Sequence, residues 1–308
     1  MTKTDRRPLR IVTGHQSGWR TTILTAAALV AFAANVLLCR LAIADGQIDP
    51  ASYTSLRLAS GALTLWAILA FSGRASLKKT RDGWVSAIVL CLYAVPYSFA
   101  YVSLDAGTGA LILFCAVQIT MLVAGYSEGH RLRIQEWLGL LAAFGGLVYL
   151  VFPGISAPAP LGSLLMAVAG IAWGIYSLRG RGAGDPVAVT AATFVRALPF
   201  ALIVSLLTLS HLHMSARGAW IAVASGSLAS GIGYIIWYAA LKGLTTTRAS
   251  IVQLAAPVLS AIGGIVFLSE DFTARLAIAG SLILGGIATA ILGHDDTASG
   301  PRSDARSA

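Results

Sequence analysis

The chain has 308 residues, 56% of them hydrophobic and only 11% charged. Soluble domains carry about 25% charge, so this composition excludes a soluble enzyme or a free nucleic-acid-binding domain as the whole protein. The formal net charge of +9 needs its own explanation, and its placement along the chain supplies one.

A membrane-crossing helix needs about 20 mostly apolar residues. In chain order such runs are Thr21–Ala44, Ala51–Phe71, Gly83–Leu104, Ala106–Ser127, Ile134–Val151, Leu161–Leu178, Val187–Leu209, Ala219–Leu241, Ala249–Ser269 and Leu276–Gly293. They predict an all-α integral membrane protein of ten transmembrane helices. Trp137–Leu178 is free of charge, but the run from Pro153 to Pro160 breaks it into two helices. The expected organisation is a cytoplasmic amino-terminal tail over 1–20, a first five-helix repeat over 21–152, a second over 161–293, and a disordered cytoplasmic tail over 294–308. Residues 1–20 lack the apolar region and cleavage site of a signal peptide. The loops left over are too short for a soluble catalytic domain.

The two halves repeat one another. Phe32-Ala33 with Arg40 answers to Trp173-Gly174 with Arg181. Asp49-Pro50 followed by Arg57 answers to Asp185-Pro186 followed by Arg196, Trp84 to Trp220, and Gly145-Gly146 to Gly285-Gly286. All these offsets fall between 136 and 141 residues. Because five spans is an odd number, the second copy is expected upside down relative to the first. Two inverted copies supply two alternative gates around one central site, the build of secondary transporters.

With the amino terminus inside, 17 of the 22 Lys and Arg residues fall in cytoplasmic segments. The other five are Arg40, Arg57, Arg196, Arg217 and Arg275. This positive-inside bias predicts cytoplasmic termini at both ends of a multi-pass inner (plasma) membrane protein. The basic charge is therefore topogenic, and no nucleic-acid partner is expected. Cys39, Cys91 and Cys115 form no spaced pair, so packed thiols are expected rather than disulfides.

Carboxylates buried in a bilayer mark proton or cation pathways. Here every acidic residue falls at a helix end, in a loop or in a tail, which argues against a proton-driven cation extruder. Arg196 lies about ten residues into the seventh span, near the midplane, where a cation costs about 2.5–3.5 kcal/mol. It is a candidate partner for an anionic substrate group; the alternative is an arginine that snorkels or binds helix-end carbonyls. The same two readings apply to Arg57, nearer the outer end of the second span. Tyr93, Tyr97 and Tyr101 share one helical face, as do Tyr234, Trp237 and Tyr238 on the corresponding eighth span. They line a cavity suited to flat or aromatic solutes, or they are packing rings plus an interfacial belt at Tyr101. Trp173 and Tyr176 are placed to face the same cavity. Asn35, Gln118 and Gln253 are polar groups deep in apolar helices, able to bind substrate or to tie helices together. Pro96, Pro199 and Pro257 permit kinks. His211-x-His213 and His294-Asp295-Asp296 lack a third ligand, and no phosphate loop or nucleophile–base pair appears, so no cofactor, metal or catalytic residue is expected.

The run from Tyr238 through Lys242, Arg248 and Gln253 to Pro257, then Glu270 and Gly280 with Gly285-Gly286, resembles the second repeat of EamA-type carriers of the drug/metabolite transporter superfamily. The first half departs from it: Gln118 stands where Pro257 stands in the second. The resemblance implies a central cavity formed by helices one to four and six to nine, with five and ten packed outside. Within the superfamily the chain is similar to aromatic amino acid exporters of the YddG type. The implied cargo is amino acids, aromatic or bulky apolar ones, moved outward by alternating access. Tyr93, Tyr97, Trp173, Tyr176, Trp237 and Tyr238 would contact the apolar part, with Asn35, Gln118 and Gln253 orienting polar groups. The competing readings are a broad drug or metabolite exporter, a lipid-modifying membrane enzyme and a non-transporting scaffold. The partners are then a small-molecule substrate and the bilayer; two repeats in one chain are compatible with a monomer, and the pattern fixes no oligomeric state.

Overall fold

The computed structural model describes residues 18–72, 83–127, 134–152, 154, 157–180, 185–244 and 252–295. The expectations for residues 1–17 and 296–308 of the tails and for Arg181 lie outside these residues, while 18–20 and 294–295 are helical. Among the described residues the fold is all-helical, and its nearest approach to a sheet is a single antiparallel bridge between Ile48 and Met214. The helices are α1 (Gly18–Ala44), α2 (Pro50–Phe71), α3 (Gly83–Ala100), α4 (Ala106–Ser127), α5 (Ile134–Val151), α6 (Pro160–Arg179), α7 (Pro186–Leu207), α8 (Ala216–Leu241), α9 (Ala255–Leu268) and α10 (Ala274–Asp295). Among the described residues seven candidate spans are long and apolar enough to cross a membrane; the apolar helices in α4, α9 and α10 are shorter on that measure.

Local chemistry explains the helix starts. Asp49 caps α2, its Oδ1 accepting from the backbone N–H groups of Ala51 and Ser52 at 3.1 and 2.9 Å. Asp185 caps α7 in the same way, accepting from Val187 and Ala188 at 3.1 and 3.3 Å. Each aspartate is followed by proline at the first helical position, where the missing N–H is no loss. The predicted ninth span, Ala249–Ser269, is interrupted instead: residues 252–253 are helical, 254 is a turn, and α9 starts at Ala255. Pro257 has no N–H to give to the carbonyl of Gln253, which removes the bond that would have joined the two pieces.

The helices pack in pairs that map onto themselves when five is added to each number. α3 packs on α6 and α7, and α8 packs on α1 and α2. α4 packs on α6, and α9 packs on α1. α2–α7, α4–α9 and α5–α10 pair with their own counterparts. In the last pair the approach is close because Gly139 and Gly286 lack side chains: a Cβ on either would run into the carbonyl oxygen of the other. α5 and α10 thus pair mainly with each other, beside the helices that carry the central polar and aromatic residues.

The turns at one end are stitched together. The α1–α2 and α7–α8 turns exchange backbone bonds, Asp49 N–H to His213 O at 2.8 Å and Ser215 N–H to Gln47 O at 2.7 Å. The Ser215 hydroxyl also donates to Gln47 Oε1 at 2.9 Å. Arg275 donates to the carbonyl of Phe152 at 2.6 Å, tying the start of α10 to the end of α5.

Candidate aromatic site around a buried arginine

Where α1, α2, α3, α6, α7 and α8 meet, the rings of both halves close on one another. Tyr93, Tyr97 and Tyr101 share one buried face of α3 and the turn after it, with successive ring centroids 5.3 and 5.0 Å apart. Tyr101 was a candidate for an interfacial belt; it is fully buried instead, packed against Gly109 at the start of α4. Trp173 of α6 joins the halves, lying 4.8 Å from Tyr93, 5.5 Å from Tyr176 and 5.5 Å from Tyr234 of α8. Phe32 of α1 packs edge-on against Tyr234 at 6.3 Å and Trp237 at 5.6 Å. Phe194 of α7 meets Tyr234 at 6.2 Å. Offset and edge-to-face contacts of this kind are the favoured arrangements of aromatic quadrupoles.

A strand of hydrogen bonds crosses the cluster from helix to helix. The Tyr53 hydroxyl of α2 donates to Ser225 Oγ of α8 at 2.8 Å. Ser225 donates to Asn35 Oδ1 of α1 at 2.8 Å, and Asn35 Nδ2 donates to the Tyr97 hydroxyl of α3 at 3.3 Å. Ser225 opens a π-helical segment, Ser225–Ile232, in the middle of α8. Such wide turns are rare and occur often at functional sites. Gly226 in that segment presses on the backbone carbonyl of Arg57, so α2 and α8 meet backbone to backbone beside the cluster.

Arg57 is the cation of this site. It is 2% exposed, with its guanidinium carbon 5.5 Å from the Tyr93 ring centre and 5.1 Å from that of Tyr97. Its Nε is buried without a hydrogen-bond partner. Contact with ring faces is worth about 2 kcal/mol when desolvated, whereas burying an ion costs several kcal/mol. The rings therefore offset the burial in part only.

Arg196, the arginine the sequence favoured, is elsewhere. Its guanidinium covers Gly83, the first residue of α3, closely enough that a methyl group there would collide with it. A helical side chain points back toward its own amino-terminal end, and Arg196 uses its length to reach the end of a neighbouring helix, as a snorkelling cation does. Tyr238 is half-buried. Gln118 is buried in α4 and Gln253 is half-buried before α9; neither shares a hydrogen bond with the Asn35 strand. Thus the structure brings together Asn35, Tyr93, Tyr97, Trp173, Tyr176 and Trp237, and adds Phe32, Tyr53, Arg57, Phe194, Ser225 and Tyr234. Ser225 carries no signal in sequence, since a serine in an apolar helix is common. Tyr53 did carry one: it stands one helical turn before Arg57 on the same face.

A second arginine, Arg40 at the end of α1, sits in a different setting. Its Nε donates to Glu270 Oε1 at 3.0 Å, Nη1 to the Tyr101 carbonyl at 3.0 Å and Nη2 to Asp105 Oδ1 at 3.2 Å. Glu270 also accepts from the Ala106 N–H at the start of α4, at 2.9 and 3.0 Å. Burial pushes the Glu270 carboxyl up from its ordinary range, against the pull of the Ala106 N–H and Arg40. This group clasps α1, the α3–α4 turn and the α9–α10 turn at the stitched end of the bundle.

The EamA-like transporter family matches the chain twice, over residues 19–152 and 160–292, and the chain belongs to that family. It is a membrane transporter of the drug/metabolite transporter superfamily. An uncharacterized protein of Pseudomonas aeruginosa is 51% identical over 269 residues, covering 87% of this chain and 93% of its own. The uncharacterized transporter YoaV of Bacillus subtilis is 22% identical, covering 78% of this chain and 87% of its own. The aromatic amino acid exporter YddG of Ancylobacter novellus is 27% identical over 285 residues, covering 87% of this chain and 98% of its own. A solved crystal structure covers 88% of this chain and 97% of its own with a TM-score of 0.65 at 23% identity, which shows a shared fold.

Proposed function

We propose that this transporter exports amino acids, aromatic or bulky apolar ones, by alternating access through the ring-lined centre between two inverted five-helix repeats. The observation that carries the reading is the joint cluster of Tyr93, Tyr97, Trp173 and Tyr234, contributed by both halves and threaded by the Tyr53–Ser225–Asn35–Tyr97 hydrogen bonds. Ring faces take up an aromatic side chain, and a hydroxyl and amide strand takes up a polar head group. The self-mapping of helix contacts supports ten spans in two inverted repeats. The positive-inside charge distribution supports an inner-membrane topology with both termini cytoplasmic, so that the stitched end is the outer face. The name of the Ancylobacter novellus relative agrees with the cargo class. Acidic residues are absent from the described ring cluster, which favours exchange or facilitated diffusion over proton coupling.

The test is counterflow of radiolabelled amino acids into proteoliposomes bearing the purified protein, with and without a proton gradient. Uptake of tryptophan, phenylalanine or tyrosine above empty vesicles, unchanged by the gradient, is the expected result. No uptake of any amino acid removes that cargo and moves the assignment to a broad drug or metabolite exporter.

A further inference from the structure

We infer that Arg57 is the anchor for the cargo's carboxylate, and that the cargo class is the aromatic or bulky apolar monocarboxylate, with the amino group dispensable. The inference rests on the ring cluster being the transport site. Its first support is a charge count. The ionisable side chains that act on Arg57 include Tyr93, Tyr53, Tyr97, Cys39 and Tyr234, all neutral at physiological pH. The carboxylates of Glu270 and Asp105 are held in ion pairs with Arg40. Among the described residues the cluster thus holds one fixed positive charge and no fixed negative charge. A monocarboxylate completes that pair; an ammonium group finds no counter-ion there.

The second support is the donor that is left over. Arg57 Nε is buried and unpartnered, and Nε with a neighbouring Nη forms the two-pronged edge that matches a carboxylate. Leaving such a donor dry is costly, and a substrate oxygen satisfies it. The third is location: the guanidinium lies over the rings of Tyr93 and Tyr97, beside the π segment of α8 that presses on the Arg57 carbonyl. A carboxylate held at Nε therefore leaves the attached aromatic body beside Trp173 and Tyr234.

The experiment is competition against labelled tryptophan counterflow by indole-3-propionate, which lacks the amino group, and by tryptamine and tryptophanamide, which lack the carboxylate. Indole-3-propionate is expected to compete like tryptophan, and the two carboxylate-free compounds about tenfold more weakly, the value of one charged hydrogen bond. Arg57→Gln is expected to abolish that difference while residual competition by tryptophanamide persists; Arg57→Lys keeps part of it, having the charge without the fork. Tryptamine competing as well as tryptophan overturns the inference, as does failure of indole-3-propionate to compete with the wild-type protein. Equal loss of carboxylates and amide in a folded Arg57→Gln protein assigns Arg57 a structural role and also overturns it. Where Arg57→Gln does not fold, the wild-type competitor series decides alone. If tryptophan is not carried at all, the thermal stability of the detergent-purified protein separates the two readings. An upshift with indole-3-propionate and none with tryptamine keeps the anchor and sinks the amino acid cargo; no shift with either overturns both.

Discussion

Arg40 and Arg57 differ in what surrounds them. Arg40, with 18% of its side chain exposed, has two carboxylates and a carbonyl as partners. Arg57 is almost wholly enclosed and meets two ring faces, with one N–H left over. A cation that ties helices together is satisfied within the protein. A cation that waits for a ligand is kept dry, aligned and incompletely satisfied, because binding energy comes from what the free site lacks. The same residue type thus serves as clasp in one place and as bait in the other.

The contrast is broken most forcefully by replacing each arginine with methionine. Arg57→Met is expected to slow tryptophan counterflow by about 30-fold or more, as loss of one partner of a buried charge pair does. Its melting temperature in detergent is expected to hold or rise, because an apolar side chain relieves an uncompensated buried charge. Arg40→Met is expected to act the other way round, lowering the melting temperature by a few degrees, about 1 kcal/mol after discounting for solvent. The reason is that Glu270, largely buried, is left without its cation. A melting loss in Arg57→Met larger than that in Arg40→Met reverses the assignment of roles.

The ring cluster gives a finer test. Tyr97→Ala is expected to abolish most transport and also to lower the melting temperature, since it deletes a fully buried ring, while Tyr97→Phe keeps the ring, loses the acceptor for Asn35 and costs about 1 kcal/mol, a several-fold drop in rate. Equal rates for Tyr97→Ala and wild type in proteoliposomes take Tyr97 out of the site.

The smallest effect concerns Glu270. Its carboxyl is raised by burial, so it takes up a proton at higher pH than a free glutamate. A raised carboxyl contributes stability that is complete below the ordinary value and is lost as pH rises through the raised one. Glu270→Gln keeps an oxygen for the Ala106 N–H and removes that loss, so its melting temperature at neutral pH is expected to change little. The melting temperature of the wild-type protein is expected to fall more steeply from acid to neutral pH than that of Glu270→Gln; identical pH profiles in the two proteins show that Glu270 does not titrate with folding.

Much of the site was legible because helices have a period. Tyr93 and Tyr97 sit four apart, so any helix there puts them on one face, and the structure finds them in ring contact. Trp173 and Tyr176 were legible in the same way. The partners were not. Asn35 meets Ser225 across 190 residues of sequence and Tyr53 meets Ser225 across 172, and no local pattern encodes which polar groups will face one another.

The repeat misled at the two arginines. Arg57 and Arg196 correspond in sequence, yet one is enclosed by rings and the other covers Gly83. The surroundings give a reason. Tyr97 and Tyr234 are 137 apart, and the same step from Tyr93 arrives at Ser230, so the second half lacks one of the two rings that enclose Arg57. Ser230 moreover lies inside the π segment, which alters the register of α8. A longer reach along the helix was then open to Arg196.

The sequence by itself determined the apolar runs, the Asp-Pro helix starts, the duplicated plan and the family, because each depends on residue type within a few turns of chain or on its recurrence. Which arginine is buried, which rings close on it and which hydroxyls join the strand were decided by the tertiary structure alone. Those outcomes depend on how helices far apart in sequence present their faces, and one extra-wide turn in α8 is enough to change which side chains meet.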